Sequence, residues 1–402
     1  MRRFFPPAFA IMYSLLPLLP TFIALTYVSF PGFSLVPRAV TLAVLALCGV
    51  LAIYAITCFL LYRASEPQPL LLPLLAVFGA GLLAGALGFN PIAGLLFTGV
   101  GGLGIIWHCS IVRFYGDPNV ALAIFWSFLA SGTLAAAVAI AMVITRIPAA
   151  QYALQHGRAT GTFILPGELA GYLIALLPIA YVLGVVGAQR ALRVMAWVAL
   201  GVGLVALALT YSRAGWMGFA AAFAFLFASR TRRGLGVAAL FVIGGAAAVL
   251  LLFNAHHNPS EDYTRLSIWQ AAVQIIDRFP LTGVGPFNFS RLYAVVRAPD
   301  GDPTAFHAHS TYLTFFAEFG IVGLAAAAWT FWRFAAELRR RIAVAPAADA
   351  FLALGVTAGL VGVAVQGLID TVSVVIFGLW FPTLGLALAA ARGGRPDPTS
   401  RQ

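Results

Sequence analysis

Apolar runs of about 20 residues, each long enough to cross a bilayer as a helix, recur along the chain between short polar turns. They fall at 9–30, 39–62, 70–87, 91–110, 121–144, 166–187, 193–210, 214–229, 234–253, 309–333, 349–369 and 372–391. The runs are too long for barrel strands and do not alternate. They predict an all-α polytopic membrane protein of about 12 transmembrane helices. One stretch breaks the pattern. Residues 254–308 are polar and hold Glu261, Asp262, Arg265, Asp277, Arg278, Arg291, Arg297, Asp300 and Asp302. The organisation that follows is 1–253 as transmembrane helices 1–9, 254–308 as one large loop, 309–392 as helices 10–12, and 393–402 as a tail.

The loop has a pattern of its own. Leu266, Trp269, Val273 and Ile276 recur at helical spacing, which predicts an amphipathic helix over Ser260–Phe279. Ser260 is its expected N-cap, and Pro280 with Gly283 stops it. Tyr263 and Trp269 suit a membrane interface, where amphipathic rings collect. Arg265 lies one turn before Trp269 on the same side of the helix.

Composition fits the pattern. The chain is 61% hydrophobic and 9% charged, against about 25% charged in a soluble domain. The net charge of +11 does not point to nucleic acid, because the basic residues sit in short turns between spans. Placing the N-terminus in the cytoplasm puts sixteen arginines inside and eight outside, out of 24. Four of the eight lie in the long loop, which obeys the positive-inside rule less strictly. Both termini are then cytoplasmic and the loop lies on the outer side of the membrane. Met1-Arg2-Arg3 leads into an apolar run without a small-residue cleavage pattern, so the first segment is expected to stay as a helix. Cys48, Cys58 and Cys109 lie in apolar runs without metal-ligand spacing and read as core residues.

Polar groups at the edges of spans are costly and are functional candidates. Arg213 stands in a tight turn between two spans. It reads either as a snorkelling anchor or as a cation for a phosphate headgroup, which its planar fork of donors suits. Arg265 reads as a solvated charge or a second such cation, and Arg158 as a loop residue or a third. His309, where the loop enters the tenth span, is a surface cap or a general base. His307 and His309 together suggest a metal pair, but no third ligand stands at a sensible spacing. Glu318 lies about 13 Å further along the same helix, as a structural acid or part of a proton path. Asp370 and Glu168 are expected on the same side of the membrane as His309. Arginines beside a base suit a phosphoryl-bearing substrate.

These residues also carry a resemblance. His309-Ser310, nine residues, then Gly320-Ile321-Val322-Gly323 resembles the O-antigen ligase signature: His followed by Asn, Ser or Gln, and a Gly after nine residues. Around it stand Arg265-x-x-x-Trp269, Pro280-Leu281-Thr282-Gly283-Val284-Gly285 and Ala317-Glu318-Phe319-Gly320. Upstream are Ser212-Arg213 and Arg158-x-x-Gly161-Thr162-Phe163. In this order they resemble the O-antigen ligase and polymerase superfamily of bacterial membrane glycosyltransferases, over roughly 155–385. Pro166-Gly167-Glu168 departs from the pattern, since relatives often have an Asn-rich turn there.

The resemblance implies an inner-membrane enzyme with a periplasmic active site. It implies a glycan donor on undecaprenyl pyrophosphate and attack by an acceptor hydroxyl on the first sugar carbon, with inversion. His309 is then the base, and Arg213 and Arg265, with Arg158, bind the pyrophosphate. Glu318, Asp370 and Trp269 support them. No metal, nucleotide or other cofactor is needed, because the pyrophosphate is already activated. The expected partners are the donor, a lipid A–core acceptor and membrane lipids. The first expectation is O-antigen ligase, and the second an O-antigen or exopolysaccharide polymerase using the same donor. A protein O-oligosaccharyltransferase and an ion-coupled transporter working through Glu318 and Asp370 complete the set.

Overall fold

The computed structural model describes Ile53 and residues 67–147, 149–163, 165–230, 233–256, 259–299, 301–303, 305–371 and 380–392. These residues form helices and connecting turns, with no strand among them. The helices are α1 (Leu71–Leu87), α2 (Pro91–Phe114), α3 (Pro118–Thr145), α4 (Ala149–Leu154), α5 (Pro166–Val186), α6 (Arg190–Leu209) and α7 (Arg213–Ala228). They continue with α8 (Gly234–His256), α9 (Pro259–Arg278), α10 (Phe289–Val296), α11 (Thr311–Ile342), α12 (Ala347–Gln366) and α13 (Trp380–Ala390). Among the described residues seven helices are long and apolar enough to cross a membrane: α2, α3, α5, α6, α8, α11 and α12. The helices α1, α7 and α13 are apolar but shorter. The expected span 9–30, the span 39–62 apart from Ile53, residues 372–379 of the last expected span and the tail 393–402 lie outside the described residues.

Helix α5 is the hub. It packs against α6, α12, α7 and α3, and nearly every residue from Pro166 to Gly184 is buried. Alanines and glycines allow this crowding. Gly359 of α12 rides on the Ala175 backbone of α5, and Gly362 on that of Gly218 in α7. Such small-residue contacts let apolar helices approach closely where solvent drives nothing together. Helix α8 leans on α7 at the edge and leaves most of its surface apolar and exposed.

The polar stretch is not an open loop. Helix α9 spans Pro259–Arg278, so Ser260 lies within it. The buried face of α9 is also not the predicted one. Ile268, Ala271, Ala272 and Ile275 are buried, whereas Leu266 and Val273 are exposed. The small alanines allow α9 to lie close to its neighbours, and a second core forms with Val284, Phe289, Leu292, Tyr293, Ala305, Ala308 and Ala317. Leu266, Val273 and Tyr263 (74% exposed) stay on the outside, as on a helix lying in an interface.

Backbone pairing joins this second core to the bundle. Helix α11 is broken at Gly320, whose φ of 63° is non-helical. The break frees carbonyl and N–H groups, and the Pro280–Gly285 turn takes them up. Val284 N–H donates to Ala317 O (2.9 Å), Gly285 N–H to Glu318 O (3.0 Å) and Ile321 N–H to Pro280 O (2.8 Å). Gly283 is also left-handed, and a Cβ on either glycine would meet the opposing backbone. The Pro-Leu-Thr-Gly-Val-Gly and Ala-Glu-Phe-Gly motifs are therefore two halves of one joint. The turn between α1 and α2 closes on its far side, with Phe89 N–H donating to Val284 O at 3.1 Å.

Candidate active site

The site gathers where α5, α7 and α11 begin and α6 and α12 end. Its centre is His309. Ser310 caps α11 by accepting from Leu313 N–H at 3.4 Å, which explains a short capping side chain after the His. His309 itself is left-handed, with φ 46°, a costly conformation for a residue with a Cβ. Its neighbours hold it there. Its N–H donates to His307 Nδ1 at 3.1 Å, and Ala308 N–H donates to Thr314 Oγ1 at 3.0 Å. Thr311 N–H, on the other side, donates to Gly367 O at 2.8 Å and Asp370 O at 3.2 Å.

Those last bonds dock the end of α12 onto the start of α11. They bring Asp370 Oδ1 to 3.9 Å from His309 Nδ1, an ion-pair distance longer than a direct hydrogen bond. Burial alone would raise the Asp370 carboxyl. His309, Arg265 and His307 outweigh it and hold the carboxyl below its ordinary value. The carboxylate packs over Gly167 in the first turn of α5, where a Cβ would strike it. Gln366 Nε2 donates to Gly167 O at 2.7 Å. The departure at Pro166-Gly167-Glu168 thus supplies the small residue that Asp370 needs. Glu168 is buried in the same first turn, where the helix dipole favours an acid.

Two arginines line the approach. Tyr211 takes a left-handed φ of 49°, and Ser212 then caps α7 by accepting from Gly215 N–H at 3.0 Å. This fixes Arg213 as the first residue of α7, and its Nη2 pairs with Asp262 Oδ1 at 3.2 Å. Arg265 follows Asp262 by one turn of α9, and its Nη1 points to Ile369 O at 3.5 Å. Arg213, Asp262, Arg265, Asp370 and His309 so form one continuous arc. Asp262 holds Arg213, and Ile369 O receives Arg265 next to the Asp370–His309 pair, an arrangement whose guanidinium groups suit a pyrophosphate.

The remaining predicted residues stand elsewhere. Arg158 Nε donates to Thr210 O at 2.9 Å, bracing the turn that presents Arg213. Glu318 belongs to the joint. Its carboxylate accepts from Phe289 N–H at 3.3 Å at the start of α10, where Asn288 makes no side-chain cap. Trp269 is half-buried, and its indole nitrogen has no hydrogen-bond partner. Among the described residues no group of three or more His, Cys, Asp or Glu is placed to hold a metal ion. Sequence reasoning missed Asp262 and Gly167 and gave His307 no positioning role. Asp262 announces itself only by standing one helical turn before Arg265.

A family description, O-antigen ligase, matches residues 198–328, a narrower stretch than the 155–385 expected from motifs. It contains Arg213, Arg265, Trp269, His309 and Glu318, and leaves out Arg158 and Asp370. No curated protein matches the chain. That stretch of the chain is similar to the O-antigen ligase family.

Proposed function

We propose that this protein is an O-antigen ligase of the bacterial inner membrane. It transfers polysaccharide from undecaprenyl pyrophosphate to a hydroxyl of lipid A–core at the periplasmic face. The observation that carries the reading is the arc from Arg213 through Arg265 to His309, lying inside the family match.

In this reading the donor pyrophosphate lies against Arg213 and Arg265. Nδ1 of His309 is buried and faces Asp370, while the side chain is 28% exposed. The Nε2 edge is then the one offered to the acceptor. It takes the proton of the acceptor hydroxyl, whose oxygen attacks the first sugar carbon from the face opposite the pyrophosphate. The new C–O bond forms as the bond to phosphate oxygen breaks, so the configuration inverts. The electron pair leaves on undecaprenyl pyrophosphate, where the two guanidinium groups stabilise it. Asp370 stabilises the imidazolium formed on His309, much as a buried carboxylate does beside other catalytic histidines. Positive charge for the leaving group comes from arginine, in a reading without nucleotide or metal.

The same site also serves a polymerase, in which a second carrier-linked glycan replaces lipid A–core. One experiment separates the two. Purified protein is given lipid-linked O-polysaccharide and lipid A–core with chelator present. Ladder bands on lipid A–core support the ligase, longer chains on the carrier establish the polymerase, and no product in either form contradicts both.

A further inference from the structure

His307 is a buried residue that the proposed chemistry does not use. It is 4% exposed. Phe306 lies against one side of its ring, with centroids 4.3 Å apart. The His309 ring crosses it edge-on at 4.5 Å. Burial, with His309 close by, keeps His307 neutral well into the acid range, although Asp370 pulls the other way. A neutral imidazole has one acceptor nitrogen. Here that acceptor is Nδ1, because it receives the His309 N–H at 3.1 Å, and the ring proton is therefore on Nε2.

That single bond reaches the backbone of His309. The residue is left-handed between a paired Ala308 and the first turn of α11. The turn orients the imidazole toward Asp370. Without an acceptor at position 307, the His309 N–H loses its partner, and the left-handed conformation loses one of the bonds that offset its cost.

We propose that His307 is a positioning residue whose Nδ1 fixes the left-handed backbone of His309 and so aims its imidazole at the reacting hydroxyl. This rests on the reading of His309 as the base. A metal pair is a poorer account of the two rings, because Nδ1 of His307 is already engaged by an N–H donor. A plain packing role is the stronger rival, given its contacts with the Phe306 and His309 rings.

Two substitutions separate the acceptor from the ring. His307→Phe keeps an aromatic ring against Phe306 and His309 but removes the acceptor. His307→Asn loses the ring but places an amide oxygen where Nδ1 accepts. Both are purified in detergent, and their folding is checked by thermal melting. Turnover is measured with saturating donor and acceptor, and the His309 ring is followed by nitrogen NMR of histidine-labelled protein, assigned with His309→Ala. We expect His307→Phe to lose on the order of ten- to a hundredfold in kcat with donor KM unchanged, as small misplacements do, and to shift the His309 resonances. His307→Asn should stay within about threefold of the parent, since it restores the bond, with the His309 resonances in place. The opposite ranking, equal loss in both, or no change in either overturns the proposal. If His307→Phe does not fold, His307→Asn decides alone: unmoved His309 resonances support the role and shifted ones refute it. The resonances report on His309 even if another residue proves to be the base, so failure here and failure of the ligase reading are told apart.

Discussion

Asp370 Oδ1 stands 3.9 Å from His309 Nδ1, close enough to feel the charge of the imidazolium and too far for a direct hydrogen bond. In the proposed mechanism this gap closes as the ring takes the acceptor's proton, as catalytic contacts often tighten once the complex forms. Asp370→Asn should lower kcat by roughly ten- to a thousandfold while donor binding stays near that of the parent. Steady-state kinetics with each substrate varied in turn checks this. An unchanged kcat would detach Asp370 from the chemistry.

Glu318 divides the enzyme from the transporter reading. In the structure it accepts from the start of α10 and ties the second core to α11. Glu318→Gln keeps an acceptor oxygen and should retain transfer within about threefold. Glu318→Leu leaves buried N–H groups unpaired and should destabilise the protein by about 1–3 kcal/mol. Thermal melting and transfer are measured together. Complete loss of transfer in a fully stable Glu318→Gln would return the acid to the mechanism.

Gly320 should tolerate nothing larger. Its φ of 63° is left-handed, and an added Cβ meets the Leu281 carbonyl. Gly320→Ala is expected to cost about 1–3 kcal/mol or more, seen as a lower melting temperature and reduced yield of folded protein. A variant as stable as the parent would show that the joint is not built as described.

Stability should fall in mild acid, and His307 sets the window. Burial and the nearby His309 push it from its ordinary 6.5 down to about 3. Above 6.5 neither folded nor unfolded His307 is charged, and stability is full. Below it the unfolded chain binds a proton that the folded protein refuses until about 3. The loss from this one group is at most about 1.4 kcal/mol per pH unit. Asp370 adds its own loss only below its ordinary 3.8. Melting curves at pH values between roughly 8 and 4.5 test this. His307→Asn should flatten the slope, and an identical slope would place the effect elsewhere.

Much of this was legible in the sequence, and the reasons for the rest are specific. Apolar runs marked the helices because a membrane span must hide every backbone group within itself, and among the described residues seven helices are long and apolar enough to cross a membrane. The buried face of α9 was misread because the pattern followed large side chains. Packing instead chose Ile268, Ala271, Ala272 and Ile275, whose small alanines admit close neighbours. His309 and Arg213 stand out as candidates because polar groups at the edge of a span are costly, and Arg265 because it shares a side of the loop helix with Trp269. Asp262, Gly167 and His307 act through contacts between segments far apart in the chain or through a single backbone bond, which periodicity does not report. The break at Gly320 was present as a motif, but its pairing with Pro280–Gly285 is a matter of three dimensions.

The most direct measurement is transfer by His309→Ala. The purified variant would be given lipid-linked O-polysaccharide and lipid A–core, and donor binding and melting temperature would be measured on the same sample. We expect no polysaccharide ladder on lipid A–core, with donor affinity and melting close to those of the parent. A full ladder from the folded variant would contradict it.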